Sequence, residues 1–402
     1  MTAVAISGIG YLGPHGSGHA DLAEAMAKGQ QAFRPVDNSA GFPRLGGARM
    51  LAKTEAAAWR PWLSPVAARR LCQASRWTVA AAKMALQDAQ WQPDDDPENL
   101  AVCLGSAFGP LDVTQRLLRE IHGAGPESMA PFDFMESVVN APAAQVAMAV
   151  GAKGPNSALC QREASGLAAV AAGYRWIQSG RAQRVLVATV DEMHPVLHSV
   201  LDRLGVLSGS RRGLGMEEAC RPLDRRRNGL MVADGASVLL LESESALVAR
   251  GGEARLWLRG ALRAHDPSAS TLNWGHDHRE LAARLQAWLH KQPKPPQAVI
   301  SGANGSRTGD ALEALVLQAT PAVRGRPVLA PKVLTGEYGG GFLTAATLIA
   351  QGQAYCVTND FELDPALQIE PLLERSGPWP GPILISSLAS AGSAIWLMVE
   401  PV

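Results

Sequence analysis

Residues 154–182, GPNSALCQREASGLAAVAAGYRWIQSGRA, read as a short strand, an abrupt turn and a long apolar helix. A turn of this shape presents a side chain at a helix N-terminus, where the dipole favours negative charge, so it suits a nucleophile or a held carboxylate. The apex carries Glu163, while Cys160 falls three residues earlier, at a strand position expected to point into packing. Three chemistries follow: an acid–base site on the carboxyl, a shifted cysteine enzyme, or a site whose nucleophile has been removed.

Other segments with the residue types for chemistry have simpler readings. GIGYLG (8–13) follows a strand and satisfies GxGxxG, but no second strand ending in an acid comes about 20 residues on, as a dinucleotide site needs. A structural glycine turn is expected, and no cofactor. GHDH (275–278) offers two histidines at i, i+2 without a third ligand nearby, so a solvated loop is expected and no metal. RPLDRRRNG (221–229) sets Arg221, Arg225, Arg226 and Arg227 around Asp224. That pattern makes a turn with local ion pairs, or a contact for an acidic carrier protein.

The elements that must position these residues alternate. AVAIS, LAVCLGS, RVLVATV, ASVLLLE, QAVISGA, ILISSL and AIWLMVE are short apolar strands, and HADLAEAMAKG, LDVTQRLLREIHG and GDALEALVLQA are helical. Continuous apolar strands between helices imply layered sheets covered on both faces. Three pairs of segments echo one another in order: AVAISGIG with AVISGANG, 156–180 with 332–352 as strand–turn–helix units, and DGASVLLLE with AGSAIWLMVE. We read two similar halves, 1–248 and 249–402, which would bring the turns at 163, 304 and 337 toward one pocket. With 402 residues, 47% of them hydrophobic, the chain can bury a large core. Its zero net charge shows no footprint for nucleic acid or an anionic membrane, and no apolar run reaches transmembrane length. Five scattered cysteines (72, 103, 160, 220, 356) and a start that runs straight into a strand fit a cytoplasmic protein with free thiols.

Taken together, the motifs resemble the β-ketoacyl synthases, condensing enzymes of the thiolase fold. ISGIGYLGPHGSG is similar to their opening strand and loop, and NAPAAQVAMAVGAKGPN to the helix before the nucleophile strand. RPLDRRRNGLMVADGASVLLLE, SGANGSRTGDALE, APKVLTGEYGGG and SSLASAGSA fall in order where the remaining signature segments belong. The resemblance covers essentially the whole chain and implies an α/β, duplicated, five-layered αβαβα architecture.

It also shows where this chain departs. The family's threonine–alanine–cysteine–serine–serine elbow is QREAS here, so Glu163 stands at the nucleophile. The two family histidines fall at Asn304, with a short deletion after it, and at Glu337. Lys332 is kept, and the glycine-rich gate near Ser390 has lost its phenylalanine. Condensation needs a thiolate to hold the acyl chain and imidazoles to stabilise the enolate. A carboxylate gives only a labile anhydride, and Glu337 would set negative charge where the enolate develops. Glu163 is expected to close the pocket through Lys332.

What the resemblance implies is a chain-length-factor-like subunit. It would pair with an active ketosynthase through the strand at about 156–161, work on chains held by acyl carrier protein, and shape an acyl tunnel. Phe108 stands where a bulky side chain limits chain length, and PFDFM (131–135), with Phe132 and Phe134, would reach toward the partner. Two other readings stay open: an isomerase, dehydratase or cyclase using Glu163 and Glu337, and a structural homodimer.

Overall fold

The computed structural model describes residues 3–37, 41–42, 47–91, 96–210, 217–271, 273–338, 340–353, 360–372 and 378–402. Cys356 lies outside these residues. GIGYLG does not turn: it is the second half of a single strand, β1 (Val4–Gly13), buried along its whole length. Its glycines serve close approach instead. A Cβ on Gly8 would lie 2.2 Å from the Ala85 carbonyl oxygen, and one on Gly10 would lie 1.8 Å from that of Ala81. Both oxygens belong to helix α1 (Gln73–Asp88), which is pressed directly onto the strand. Eleven of the fifteen α1 residues from Ala74 to Asp88 are buried, among them Ala80, Ala81, Ala82 and Ala85, whose short side chains permit that contact.

Apart from the two-residue strand Gly16–Ser17, which pairs back onto β1, the remaining strands of the main sheet are β2 (Leu100–Gly105), β3 (Asn156–Leu159), β4 (Arg184–Asp191), β5 (Gly235–Ser243), β6 (Leu256–His265), β7 (Ala298–Ser301), β8 (Pro327–Leu329), β9 (Glu370–Pro371), β10 (Ile383–Leu388) and β11 (Ser393–Pro401). In the first half β3, β2 and β4 run parallel, and β5 and then β1 join antiparallel. In the second half β8, β7 and β10 run parallel, and β11 and then β6 join antiparallel. The two arrays share one wiring, and they meet where Val4–Ile6 of β1 pairs with Leu256–Leu258 of β6. Beyond β8 the second array carries the additional short strand β9.

The helices complete five layers. Helix α1 and α2 (Ala141–Val150) cover one face of the first array, packing on Leu100, Val102, Leu104, Leu186, Val238 and Leu240. Between the arrays lie α3 (Ser165–Gln178) and, further along the chain, the helix Gly341–Ala350, in contact with alternate residues of both, such as Val187, Leu241, Ile385 and Leu397. Helices α4 (His278–Leu289) and α5 (Arg307–Ala319) cover the outer face of the second array, against Val299, Leu384 and Trp396. The fold is therefore the thiolase αβαβα. A central helix must be apolar on every side, which is what SGLAAVAAGYRWIQ supplies. Each Val or Leu buried there contributes ~1.5–3 kcal/mol.

Three further sequence readings change. The stretch KVLT is not a strand but a short helix, α6 (Lys332–Thr335), with α7 (Gly341–Ala350) following it, so the echo of 156–180 holds only for the turn and second helix. Cys160 lies just past β3 and is exposed, because the strand has already ended and the chain is bending outward. Finally, the sequence pattern names no element for α1, α4, β6, β8 or β9. In β6, Arg259, Gly260 and Arg263 interrupt the apolar run, and the strand is only half-buried toward its end.

Candidate functional site

The bend after β3 is built from the backbone outward. Arg162 holds φ 48°, a left-handed conformation that costs a non-glycine residue ~1 kcal/mol, so the strained position is one residue before Glu163. Ser165 pins the bend: its hydroxyl accepts from the Gln161 amide at 2.8 Å and donates to the Arg162 carbonyl at 2.7 Å. A single 3-10 turn, Arg162–Ala164, then leads into α3.

This places the Glu163 carboxylate against the loop after β10, at Ser390. The Ser390 amide and hydroxyl both donate to it, each at 3.1 Å, and the Ser387 hydroxyl donates to the Glu163 carbonyl oxygen at 3.1 Å. Burial raises the Glu163 carboxyl above the ordinary glutamate range. The negative charge of Glu337 adds to the shift, while Lys332 and Ser390 oppose it.

Lys332 does not bond Glu163. Its ammonium donates to both Glu337 oxygens, at 2.9 and 2.8 Å, because α6 and the turn after it set the two side chains five residues apart on one side of the pocket. The ring of Phe342 lies 4.9 Å from the same ammonium. Asn304, on the loop after β7, donates to Glu337 at 2.5 Å. Glu337 also accepts its neighbour's amide, from Tyr338, at 3.1 Å. Glu163, Lys332 and Glu337 line one inner cavity of about 40 Å³, so three of the four candidate site residues converge there, and the fourth, Asn304, touches it through Glu337.

Two acids support the Asn304 loop from beneath, and the sequence reading did not single them out. Asp310 accepts the amides of Asn304 (3.0 Å) and Leu223 (2.8 Å), and burial pushes its carboxyl up to about 6. Glu313 accepts the hydroxyls of Ser301 and Ser386, and burial pushes it up to about 7. Their signal was the i, i+3 spacing of two acids on an apolar helix, α5, where solvated charges have no place.

The remaining candidates are spread more widely. Phe108 is half-buried and meets Tyr338 edge-on, with ring centroids 5.0 Å apart. Phe132 and Phe134 are 49% and 53% exposed on the short helix Pro131–Ser137, outside both cavities at the elbow. Cys160, exposed at its surface, donates to the Ala107 carbonyl at 3.1 Å, partial desolvation and the nearby Asp191 charge raise its thiol, and it does not line the inner cavity. In 221–229, Arg226 pairs with Asp224 and Asp360, and Arg227 with Asp364, as local ion pairs of a turn. Asp277 of GHDH caps α4 by accepting the Glu280 amide. Among the described residues no helix is long and apolar enough to cross a membrane.

An outer cavity of about 550 Å³ opens on the other side of Glu163, between Trp274, Arg307, Thr308, Leu230 and Ser390. A carboxyl of raised pKa at the junction of two cavities can exchange a proton. It cannot carry an acyl group as a durable thioester does.

Residues 1–246 match the model of the family described as "Beta-ketoacyl synthase, N-terminal domain", and the chain belongs to that family. It is 28% identical over 360 residues to the actinorhodin polyketide putative beta-ketoacyl synthase 2 of Streptomyces coelicolor, covering 86% of this chain and 84% of that one. It is 26% identical over 185 residues to 3-oxoacyl-[acyl-carrier-protein] synthase 2 of Staphylococcus aureus, a match that spans 46% of this chain and 44%, under half, of that protein. The ishigamide ketosynthase/chain length factor superposes with a TM-score of 0.86 at 21% identity, covering 100% of this chain and 99% of that one.

Proposed function

We propose that this chain is the non-condensing, chain-length-factor-like subunit of a ketosynthase pair. In this reading it heterodimerises in the cytoplasm with an active β-ketoacyl synthase and shapes the tunnel for a growing chain held on acyl carrier protein. The pathway would be of type II polyketide, aryl-polyene or fatty-acid-like kind. The observation that carries this reading is the state of the elbow. Where a condensing enzyme needs a free thiolate, Glu163 stands with its carboxylate tied to Ser390, and where it needs imidazoles stand Asn304 and Glu337, the Glu337 carboxylate accepting from both Asn304 and Lys332. None of these groups can hold a chain and stabilise an enolate in turn.

Support for a partner comes from the surface. Among the described residues strand β3 ends the sheet with one unpaired edge, and Phe132, Phe134, Met135 and Met148 stand 49–67% exposed on the helices preceding it. An edge strand beside exposed apolar side chains needs a cover. The relatives named as ketosynthases and as a ketosynthase/chain length factor fit the same arrangement. The halves 1–248 and 249–402 act in this reading as two copies of one ancestral unit, the second contributing Asn304, Lys332 and Glu337.

The test is reconstitution. Co-expressed with an intact ketosynthase, the chain should co-elute with it as a heterodimer, and the pair should make product from carrier-bound malonyl units. The lone chain should make none, and Glu163→Gln should leave the pair's turnover unchanged. One observation favours a second reading: a carboxyl of raised pKa close to a second acid, Glu337, is a general acid–base arrangement. In that case the lone chain would transform an acyl-carrier substrate and Glu163→Gln would abolish it.

A further inference from the structure

The inner and outer cavities share three lining residues: Arg162, Glu163 and Tyr338. Arg162 is turned away, donating to the Thr271 carbonyl at 3.0 Å, and Glu163 is tied to Ser390. The body of the partition is therefore the ring of Tyr338, 9% exposed.

Two features mark Tyr338 as held in place. Its backbone sits at φ 69°, a left-handed conformation that costs a side-chain-bearing residue ~1 kcal/mol and that persists only where the surroundings impose it. The imposition is visible: its amide donates to Glu337, whose own backbone amide donates to Met231 at 2.8 Å and whose carbonyl accepts from Ala233 at 2.8 Å. On its far side the ring meets Phe108 edge-on at 71°. Behind Phe108 lies an apolar cluster including Met193, Leu201, Leu207, Leu230 and Val232. Tyr338 thus stands between the outer and the inner cavity and is itself a member of the apolar cluster against which Phe108 packs. Its hydroxyl has no hydrogen-bond partner among the described residues.

We propose that Tyr338 is the wall that ends the chain tunnel in this subunit, resting on the reading of the chain as a tunnel-shaping subunit. An apolar chain that enters beside Phe108 stops against the Tyr338 ring and does not pass into the outer, solvent-connected cavity. Phe108 narrows the passage, and Tyr338 closes it. The aromatic ring, edge-on to Phe108 and packed in the apolar cluster, forms this wall, so the occupant it meets is the apolar part of an acyl chain.

Alanine is a clean probe, because it bears the same left-handed cost as tyrosine and alters the wall alone. In the reconstituted pair, Tyr338→Ala should shift the product distribution to longer chains by at least one extension unit, while Tyr338→Phe should leave it unchanged. A distribution that Tyr338→Ala does not move, in a pair that does make product, overturns the proposal and leaves the proposed function standing. A pair without product defeats the proposed function instead, and a second measurement then decides the wall. Binding of decanoyl-N-acetylcysteamine to the lone chain, followed calorimetrically, should tighten at least tenfold in Tyr338→Ala and stay at the wild-type value in Tyr338→Phe. Equal affinity in all three proteins sinks the wall.

Discussion

Lys332 and Glu337 form an ion pair with side chains only 1% and 3% exposed, and its two partners are unequally supported. Without Lys332, Glu337 keeps the hydrogen bonds from Asn304 and from the Tyr338 amide. Without the Glu337 charge, the Lys332 ammonium keeps the face of Phe342 and the longer-range attraction of Glu163, but no hydrogen-bonded acceptor in the place of Glu337. Removing one member of a buried pair costs ~3–5 kcal/mol because the other charge is stranded, whereas replacing both by neutral groups of similar volume is close to neutral. Glu337→Gln should therefore fall at the upper end of that range and Lys332→Met at or below the lower end. The double variant should come within ~1 kcal/mol of the wild type, so the two single losses are coupled by ~5 kcal/mol or more. Urea unfolding followed by tryptophan fluorescence, for which the chain has ten Trp, reads all four proteins. Additive losses, with the double variant as unstable as the two singles summed, would refute the argument that the pair is held by mutual neutralisation. They would also undercut the view that Glu337 is structural filler for a lost histidine.

Glu313 titrates upward, to about 7, because burial outweighs the hydroxyls of Ser301 and Ser386 that favour its charge. An acid whose native pKa lies above its unfolded one contributes stability that is full below pH ~4.3 and lost as pH rises through about 7. Glu313→Gln should therefore gain on the wild type by up to ~3 kcal/mol between pH 4.5 and 8, and parallel stability profiles would contradict this. Gly10→Ala should cost ~3 kcal/mol or more, read as loss of soluble expression, since its Cβ would meet backbone rather than a flexible side chain; a well-folded variant would show that α1 can slide on β1. Phe108→Ala in the reconstituted pair should lengthen the product, and an unchanged distribution would remove Phe108 from the tunnel wall. Cys160→Ser should leave the pair's activity within about twofold, and covalent trapping of an acyl group on Cys160 in a competent lone chain would overturn the reading of the elbow.

The parts of this molecule legible in its sequence are those where local pattern and burial agree. LAVCLG and the middles of RVLVATVD and ASVLLLE are continuously apolar because helices cover both their faces, their charged residues falling at the strand ends, and the largely apolar α3 marks the central layer. Where a residue serves contact rather than conformation, the pattern misleads. GIGYLG carries the composition of a turn, yet its small residues exist to admit the α1 backbone, a partner 70 residues away that no local window contains. KVLT is β-branched enough for a strand, but Pro331 before it and Gly336 after it confine four residues to one helical turn.

The site divides along the same line. Its positions could be placed by order along the chain, since Glu163, Asn304, Lys332 and Glu337 each sit at the mouth of an element whose apolar pattern is plain. Their pairing could not, because pairing depends on which of two acids a single buried lysine faces. The choice of Glu337 over Glu163 follows from α6: a one-turn helix ending in Gly336 at φ 72° swings residue 337 back over Lys332, while Glu163 is drawn the other way by the Ser390 amide. Two carboxylates thereby share one ammonium unequally. Glu337 takes it as a close ion pair, and Glu163, left nearby without a cation of its own, is the acid whose pKa burial and repulsion raise. The arrangement explains how this buried bend can hold a carboxyl at all. The charge that would be intolerable beside Glu337 is relieved by protonation or by the Ser390 hydrogen bonds, and both options close the elbow to an incoming thioester.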